Sequence, residues 1–225
     1  MQFNIIAHLK TCYPEKFGVP RQPGLVDEAW GELIFEPEYR NADCLRGLEQ
    51  FSHVWLVFVF HKSLQDNWKA TVRPPRLGGN ERLGVFASRS PFRPNSIGLS
   101  CVALKEIDHD HPDGPILKVK GVDLVDGTPV LDIKPYIAYC DSLPDALGGF
   151  AQERPLGIDV EWQGSVGDAL PTETKTLIEN TLATDPRPAY QQGDEAREYG
   201  CLIEGWNVQW RVVNRVILID DCRTV

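Results

Sequence analysis

Residues 53–60, HVWLVFVF, form the most apolar run in the chain. Eight residues rich in Val, Trp and Phe favour a buried central strand over a helix. The runs 3–9, 30–35, 83–87, 97–107, 116–125 and 128–133 read as further strands, the second stopped by Pro37. The only helix-like stretch among them is 43–51 (DCLRGLEQF), with Asp43 as N-cap and Leu45, Leu48 and Phe51 on one face. Asp126-Gly127 between apolar runs predicts a hairpin turn. Six or seven strands without β-α-β alternation imply a mainly β fold, an antiparallel barrel or sandwich rather than a doubly wound sheet.

The remainder reads differently. Residues 148–167 are weakly patterned, and 156–162 are expected to close the same sheet. The boundary is expected near Asp168, which divides the chain into domains 1–167 and 168–225. In the second, residues 172–184 read as a helix with Leu177, Ile178 and Leu182 on one face, and 199–203, 207–213 and 216–219 as short strands. That is a small α+β C-terminal domain with a thin core of its own.

Three arginine sites share one design. Arg21, the pair Arg89 and Arg93, and Arg187 are each held between prolines. Proline fixes φ and restricts the residue before it, so these guanidiniums sit on loops of low entropy. A planar fork suits carboxylate or phosphate. The residues alone leave two readings open: an anion-binding loop, or a rigid connector with solvated arginines. Charge bears on the choice. The chain carries −9, yet residues 69–93 hold six basic residues (Lys69, Arg73, Arg76, Arg82, Arg89, Arg93) and one acid, Glu81. A basic island in an acidic protein suits one specific anionic ligand better than general polyanion binding. The long loop 67–80, with Pro74, Pro75, Gly78 and Gly79, lies within it.

Several classes are disfavoured. No run of about 18 apolar residues predicts a transmembrane helix, and the N-terminus lacks signal-peptide features. Six scattered cysteines read as reduced thiols of a cytoplasmic protein, with no metal-ligand spacing. His109 and His111 fall in a turn and read as solvated. No GxGxxG, P-loop or GxSxG is present. Asp123, Asp126 and Asp132 cluster near one turn as candidates for a base or a hydroxyl acceptor, and His53 and His61 bracket the apolar strand. The residues alone therefore give an anion-binding, loop-built site on a β scaffold. A cysteine-nucleophile hydrolase and a non-catalytic RNA-binding or nucleotide-sensing barrel remain alternatives.

The motifs together resemble a family. FASRSPFRPNSIGLS (86–100) is similar to the signature of the TsaA/TrmO-type tRNA methyltransferases. So are PRQP (20–23), RGLEQFSH (46–53), RPPRLGGN (73–80), VDLVDGTP (122–129) with DIKPY (132–136), and DPRPAYQ (185–191) of the long bacterial form. Ser96 stands where a second proline is usual. The resemblance implies a non-Rossmann, β-barrel methyltransferase using S-adenosyl-L-methionine. It implies methylation of N6 of threonylcarbamoyladenosine at position 37 of tRNA, and a homodimer with cofactor sites near the subunit interface. Cofactor contacts would fall on Arg21, Gln22, Pro23, His61, Lys62, Arg89, Leu99, Val125, Asp126, Gly127 and Thr128. Asp126, and second to it Tyr136, are the expected bases. Arg76, Arg82 and Arg93 are expected to read the RNA and its threonyl carboxylate, with Arg187 and Tyr190 gripping the anticodon stem-loop. No metal or membrane is implied.

Overall fold

The computed structural model describes residues 2–65, 67–188, 191 and 197–225. In chain order the strands of the first part are β1 (Ala7–Thr11), β2 (Trp30–Phe35), β3 (His53–Val59), β4 (Thr71–Val72), β5 (Leu83–Gly84), β6 (Ile97–Asp108), β7 (Ile116–Lys120) and β8 (Thr128–Pro135). β1, β2, β7, β6, β3 and β8 close in that order into a six-stranded barrel, every neighbouring pair antiparallel. Period-two alternation builds its interior. Val54, Leu56 and Phe58 of β3 point inward, against Leu9, Leu33, Val102 and Val130. Burying each such side chain contributes roughly 1.5–3 kcal/mol, and closure removes the exposed edges that an open sheet would present.

The single-turn helix α1 (Ala138–Asp141) and an exposed strap lead to β9 (Asp159–Trp162) and α2 (Thr172–Ala183). Then come β10 (Glu198–Ile203), β11 (Trp206–Val213) and β12 (Val216–Thr224). These four strands form a second sheet, in the order β10-β11-β12-β9. The buried stripe of α2, Thr174, Leu177, Ile178, Thr181 and Leu182, follows helical spacing and shares a core with Ile203, Trp210, Ile217 and Ile219.

The second module docks on the β1–β2 connection through paired polar groups. Tyr13 and Thr181 share a buried hydrogen bond of 3.0 Å between their hydroxyls. The Glu204 carboxylate accepts from Trp30 Nε1 and from Thr174 Oγ1, each at 2.7 Å, and its backbone N–H donates to the Cys12 carbonyl. Asn180 donates to Glu28, and the Leu202 N–H donates to Glu15. Residues 12–30 are thus held between barrel and module.

The structure corrects several expectations. Asp126-Gly127 is not a hairpin turn: β7 lies between β2 and β6, and β8 between β1 and β3. Residues 121–127 instead cross the barrel end, where the N–H groups of Val122, Asp126 and Gly127 donate to carbonyls of Ala29, Tyr13 and Leu9. The stretch 83–87 is a strand only at Leu83–Gly84; Val85–Ala87 is a 3-10 turn. The stretch 43–51 is two 3-10 turns separated by Gly47 at φ 89°, and the N-cap is Asn41, whose side chain accepts from the Asp43 N–H. Finally, β9 pairs in parallel with β12 rather than closing the barrel, so the second sheet takes a strand from before residue 167.

Candidate functional site

The barrel opens at the end where β3 leaves and β8 enters. A cleft of about 190 Å³ lies there, lined by Phe58 to Ser63, Asp123 to Val125, Thr128, Pro91, Lys16 and Val19. Its floor is the Phe58 ring. That ring lies where a side chain on Gly98 would stand: a Cβ there would fall 2.1 Å from it. Phe60 meets Phe58 edge-on at 4.9 Å between centroids.

The polar groups at the mouth are fixed from behind. Lys62 Nζ donates to the Pro14 carbonyl at 2.7 Å, and Lys16 Nζ to the Lys62 carbonyl at 3.0 Å. This reciprocal pair ties the 60–63 turn to the β1–β2 connection. Thr128 Oγ1 donates to the Val125 carbonyl at 2.5 Å and closes the 125–128 turn, where Gly127 supplies a φ of 75°. His61 Nδ1 is buried and has no hydrogen-bond partner among the described residues. Desolvation, then the neighbouring Lys62 charge, lowers the His61 pKa, so the ring is neutral and offers a ligand one donor or acceptor.

Asp123 is the carboxyl of the cleft. Ser100 Oγ donates to its Oδ1 at 2.5 Å. Burial pushes its pKa up to about 6, against the pull of the Ser100 hydroxyl and of the Arg89 charge. Asp126, the expected base, is not in the lining; its Oδ1 accepts from the Thr11 N–H at 2.9 Å and serves the turn. Tyr136 stands near His53, with ring centroids 6.2 Å apart, at the other end of β3 from Phe58. Five strand steps separate His53 from Phe58, roughly 17 Å.

The arginines divide differently from expectation. Arg89 Nη1 donates to Gln22 Oε1 at 2.6 Å, bringing two of the sequence motifs together. Arg93 braces its own loop through Nη1, which donates to the carbonyls of Ser88 (3.0 Å) and Ser90 (3.2 Å). The serines reinforce that loop: Ser88 and Ser90 hydroxyls accept from the Ser90 and Phe92 N–H groups. Arg187 is 4% exposed and paired with Asp185 through Nε (2.8 Å) and Nη2 (3.0 Å). Its guanidinium is therefore not available to a phosphate. Tyr190 lies outside the described residues. Arg76 and Arg82 are exposed, with Arg76 also donating to the Glu153 carbonyl. Leu99 is 52% exposed, on the outer face of β6 between the inward Gly98 and Ser100.

Phe58, Gly98 and Ser100 were not singled out from sequence. Their signal is the alternation of β3 and β6, which places them inside at the barrel mouth. Among the described residues no group of three or more His, Cys, Asp or Glu could hold a metal ion, and no helix is long and apolar enough to cross a membrane.

Comparison with known proteins places these features. Residues 8–142 match the tRNA-methyltransferase O N-terminal domain, and residues 156–225 the TrmO C-terminal domain. The tRNA (adenine(37)-N6)-methyltransferase of Escherichia coli (strain K12) is 50% identical over 221 residues, 95% of this chain and 94% of that protein. A putative S-adenosylmethionine-dependent methyltransferase, RcsF, of Pseudomonas aeruginosa is 46% identical over 91% of this chain and 90% of its own length. A crystal structure of TrmO from Pseudomonas aeruginosa matches with a TM-score of 0.81 at 37% identity, covering 99% of this chain and 98% of that one. Barrel and C-terminal module are matched together and in the same order, and the chain belongs to the tRNA-methyltransferase O family.

Proposed function

We propose that this protein methylates N6 of threonylcarbamoyladenosine at position 37 of tRNA, with S-adenosylmethionine as the donor. The observation that carries the reading is the meeting of motifs at the barrel mouth. His61, Lys62, Val125 and Thr128 line one cleft, and Arg89 is bonded to Gln22 beside it.

The residues fit the cofactor. Among the described residues Arg21 donates through Nη2 to the Arg187 carbonyl, which leaves guanidinium N–H groups for a carboxylate. Phe60, Leu124 and Val125 offer apolar walls for a purine, and the unpartnered His61 Nδ1 awaits a polar group. When bound, S-adenosylmethionine supplies an electrophilic methyl group. N6 of the substrate is conjugated to a carbonyl and carries a hydrogen, so it needs a base. Asp123 suits that task better than Asp126. It lines the cleft, and a carboxyl titrating near 6 is ionised at neutral pH yet basic enough to accept the proton. The Ser100 hydroxyl fixes Oδ1 of Asp123, so that its other oxygen is left to take the proton in one orientation.

The RNA is proposed to lie on the basic island. Lys69, Arg73, Arg76 and Arg82 are exposed, and Trp68 and Phe86 among them are 53% and 75% exposed, as stacking platforms require. Arg76 or Arg82 is proposed to read the threonyl carboxylate. A homodimer is also proposed. A cleft of about 190 Å³ falls below the roughly 300–1,000 Å³ typical of ligand sites, and Ile97 and Leu99 leave apolar surface uncovered on the barrel exterior. A second copy would wall the remainder. The free cysteines suit a reducing cytoplasm.

The test is methyl transfer from labelled S-adenosylmethionine to threonylcarbamoyl-modified tRNA, with unmodified tRNA as control. Transfer confined to the modified tRNA is expected. Equal labelling of both would remove the proposed substrate; labelling of neither would remove the activity.

A further inference from the structure

We infer that the Asp185–Arg187 turn of the C-terminal module positions Arg21 at the cofactor site, so that cofactor binding depends on a segment distant in sequence from the barrel strands. Arg21 Nη2 donates to the Arg187 backbone carbonyl at 2.9 Å, across 166 positions of sequence. That carbonyl is fixed three ways. Pro186 and Pro188 flank it and set their own φ angles. The Arg187 side chain is buried and grips Asp185 with a two-pronged ion pair of 2.8 and 3.0 Å. Asp185 also accepts from the Arg187 N–H at 3.3 Å, while its own backbone sits in the left-handed region at φ 51°.

The proline-bracketed arginine at 187 therefore acts through its main chain, with its guanidinium as the anchor. On the other side, Gln22 accepts from Arg89. The loop 20–23 is thus held between the module and the signature loop. A long exposed arginine otherwise samples many rotamers, and fixing one of its N–H groups aims the rest of the fork before a carboxylate arrives. The module rests on the same segment through Tyr13–Thr181 and Trp30–Glu204, which tie loop and module together at two further points. Arg187 and Asp185 are positioning residues, acting through Arg21.

This inference rests on the reading that loop 20–23 contacts the cofactor. The test uses the full chain and S-adenosylhomocysteine as the probe, titrated calorimetrically. Asp185→Asn keeps the shape, tolerates the left-handed backbone and weakens the ion pair; Arg187→Lys keeps the charge but loses the fork. Each is expected to weaken probe binding about tenfold. Arg21→Ala weakens it too, and adding Asp185→Asn to Arg21→Ala is expected to cost nothing further, a non-additivity that a general loss of packing would not produce. Wild-type affinity in both single variants overturns the inference, as does full additivity in the double variant. Should Arg187→Lys fail to fold by circular dichroism, the Asp185→Asn cycle decides alone. Absence of probe binding by the wild-type protein would instead overturn the cofactor reading of the loop.

Discussion

Burial moves the Asp123 carboxyl to about 6, and that displacement has two consequences of opposite sign. For activity, the ionised form is the base, so the transfer rate is expected to rise with pH through about 6 and then level. Asp123→Asn should remove both the rate and the limb, while Asp126→Asn should keep the limb. For stability, the folded pKa lies above the ordinary carboxylate value, so the fold favours the protonated form. That contribution is whole below the unfolded pKa and is lost as pH rises through about 6. Ionising Asp123 in the fold then costs up to about 3 kcal/mol. Thermal melts should show Asp123→Asn more stable than wild type at pH 8, with the gain shrinking toward pH 4; a gain independent of pH would contradict this. Gly98 makes a second prediction at this scale. Gly98→Ala forces the Phe58 ring off its seat and into the cleft, because a Cβ at 2.1 Å cannot be accommodated. A tenfold or larger rise in KM for S-adenosylmethionine is expected, and an unchanged KM would show that the ring does not floor the cofactor site. Residue types were legible from sequence to different depths. Proline spacing marked the arginines, but spacing does not say whether a guanidinium faces a ligand, as is proposed for Arg21, or its own loop, as at Arg93.

At the level of elements, apolar, β-prone runs were the most legible: β2, β3, β6 and β11 lie where those runs put them. Partnership was less so. Asp126-Gly127 has the composition of a hairpin turn, yet the runs beside it pair with β2, β6, β1 and β3. Local turn chemistry fixes a bend, not the neighbour across it, and only the closed barrel decides which edges meet. The same holds for β9, whose short run carries no mark of the parallel partner it finds in β12. The joint between the two sheets turns on the β10–β11 turn, where Glu204 at φ 50° and Gly205 at φ 78° form the tight connection. A non-glycine in that region is strained, and Glu204 is kept there by bonds to Trp30, Thr174 and Cys12. Glu204→Gly strands two donors but relieves the backbone, whereas Glu204→Ala strands the same donors and keeps the strained backbone. Denaturant titration should give Glu204→Ala a loss of about 2–3 kcal/mol and Glu204→Gly a smaller one. Equal losses would mean that the side-chain bonds alone hold the joint.

Across the whole molecule, charge is distributed against the simplest reading of a tRNA enzyme. The chain is −9 overall, and residues 168–225 hold ten acids against six basic side chains. The acidic excess therefore extends through the C-terminal module, while the cations gather on the barrel between Lys69 and Arg89. The sequence made that island visible, since charge counts need no fold; it did not reveal that Arg93 braces its own loop through Nη1 and that Arg187 is buried, which depends on the folded neighbours. Four exposed cations, Lys69, Arg73, Arg76 and Arg82, are left for the RNA, three for phosphate and either Arg76 or Arg82 for the threonyl carboxylate. Each phosphate neutralised on RNA contributes a salt slope of roughly −0.7 to −0.9, so three contacts predict a log–log slope of about −2 to −3. Replacing Arg73 and Arg82 together by serine should lower affinity for the anticodon stem-loop and make the slope shallower. Removing two module cations, Arg211 and Arg223, should leave the slope unchanged, because both are paired with acids of their own sheet at Asp220 and Asp221. Fluorescence anisotropy over a salt series reads both. A slope that responds to the module pair but not to the island pair would move the RNA from the barrel to the second sheet.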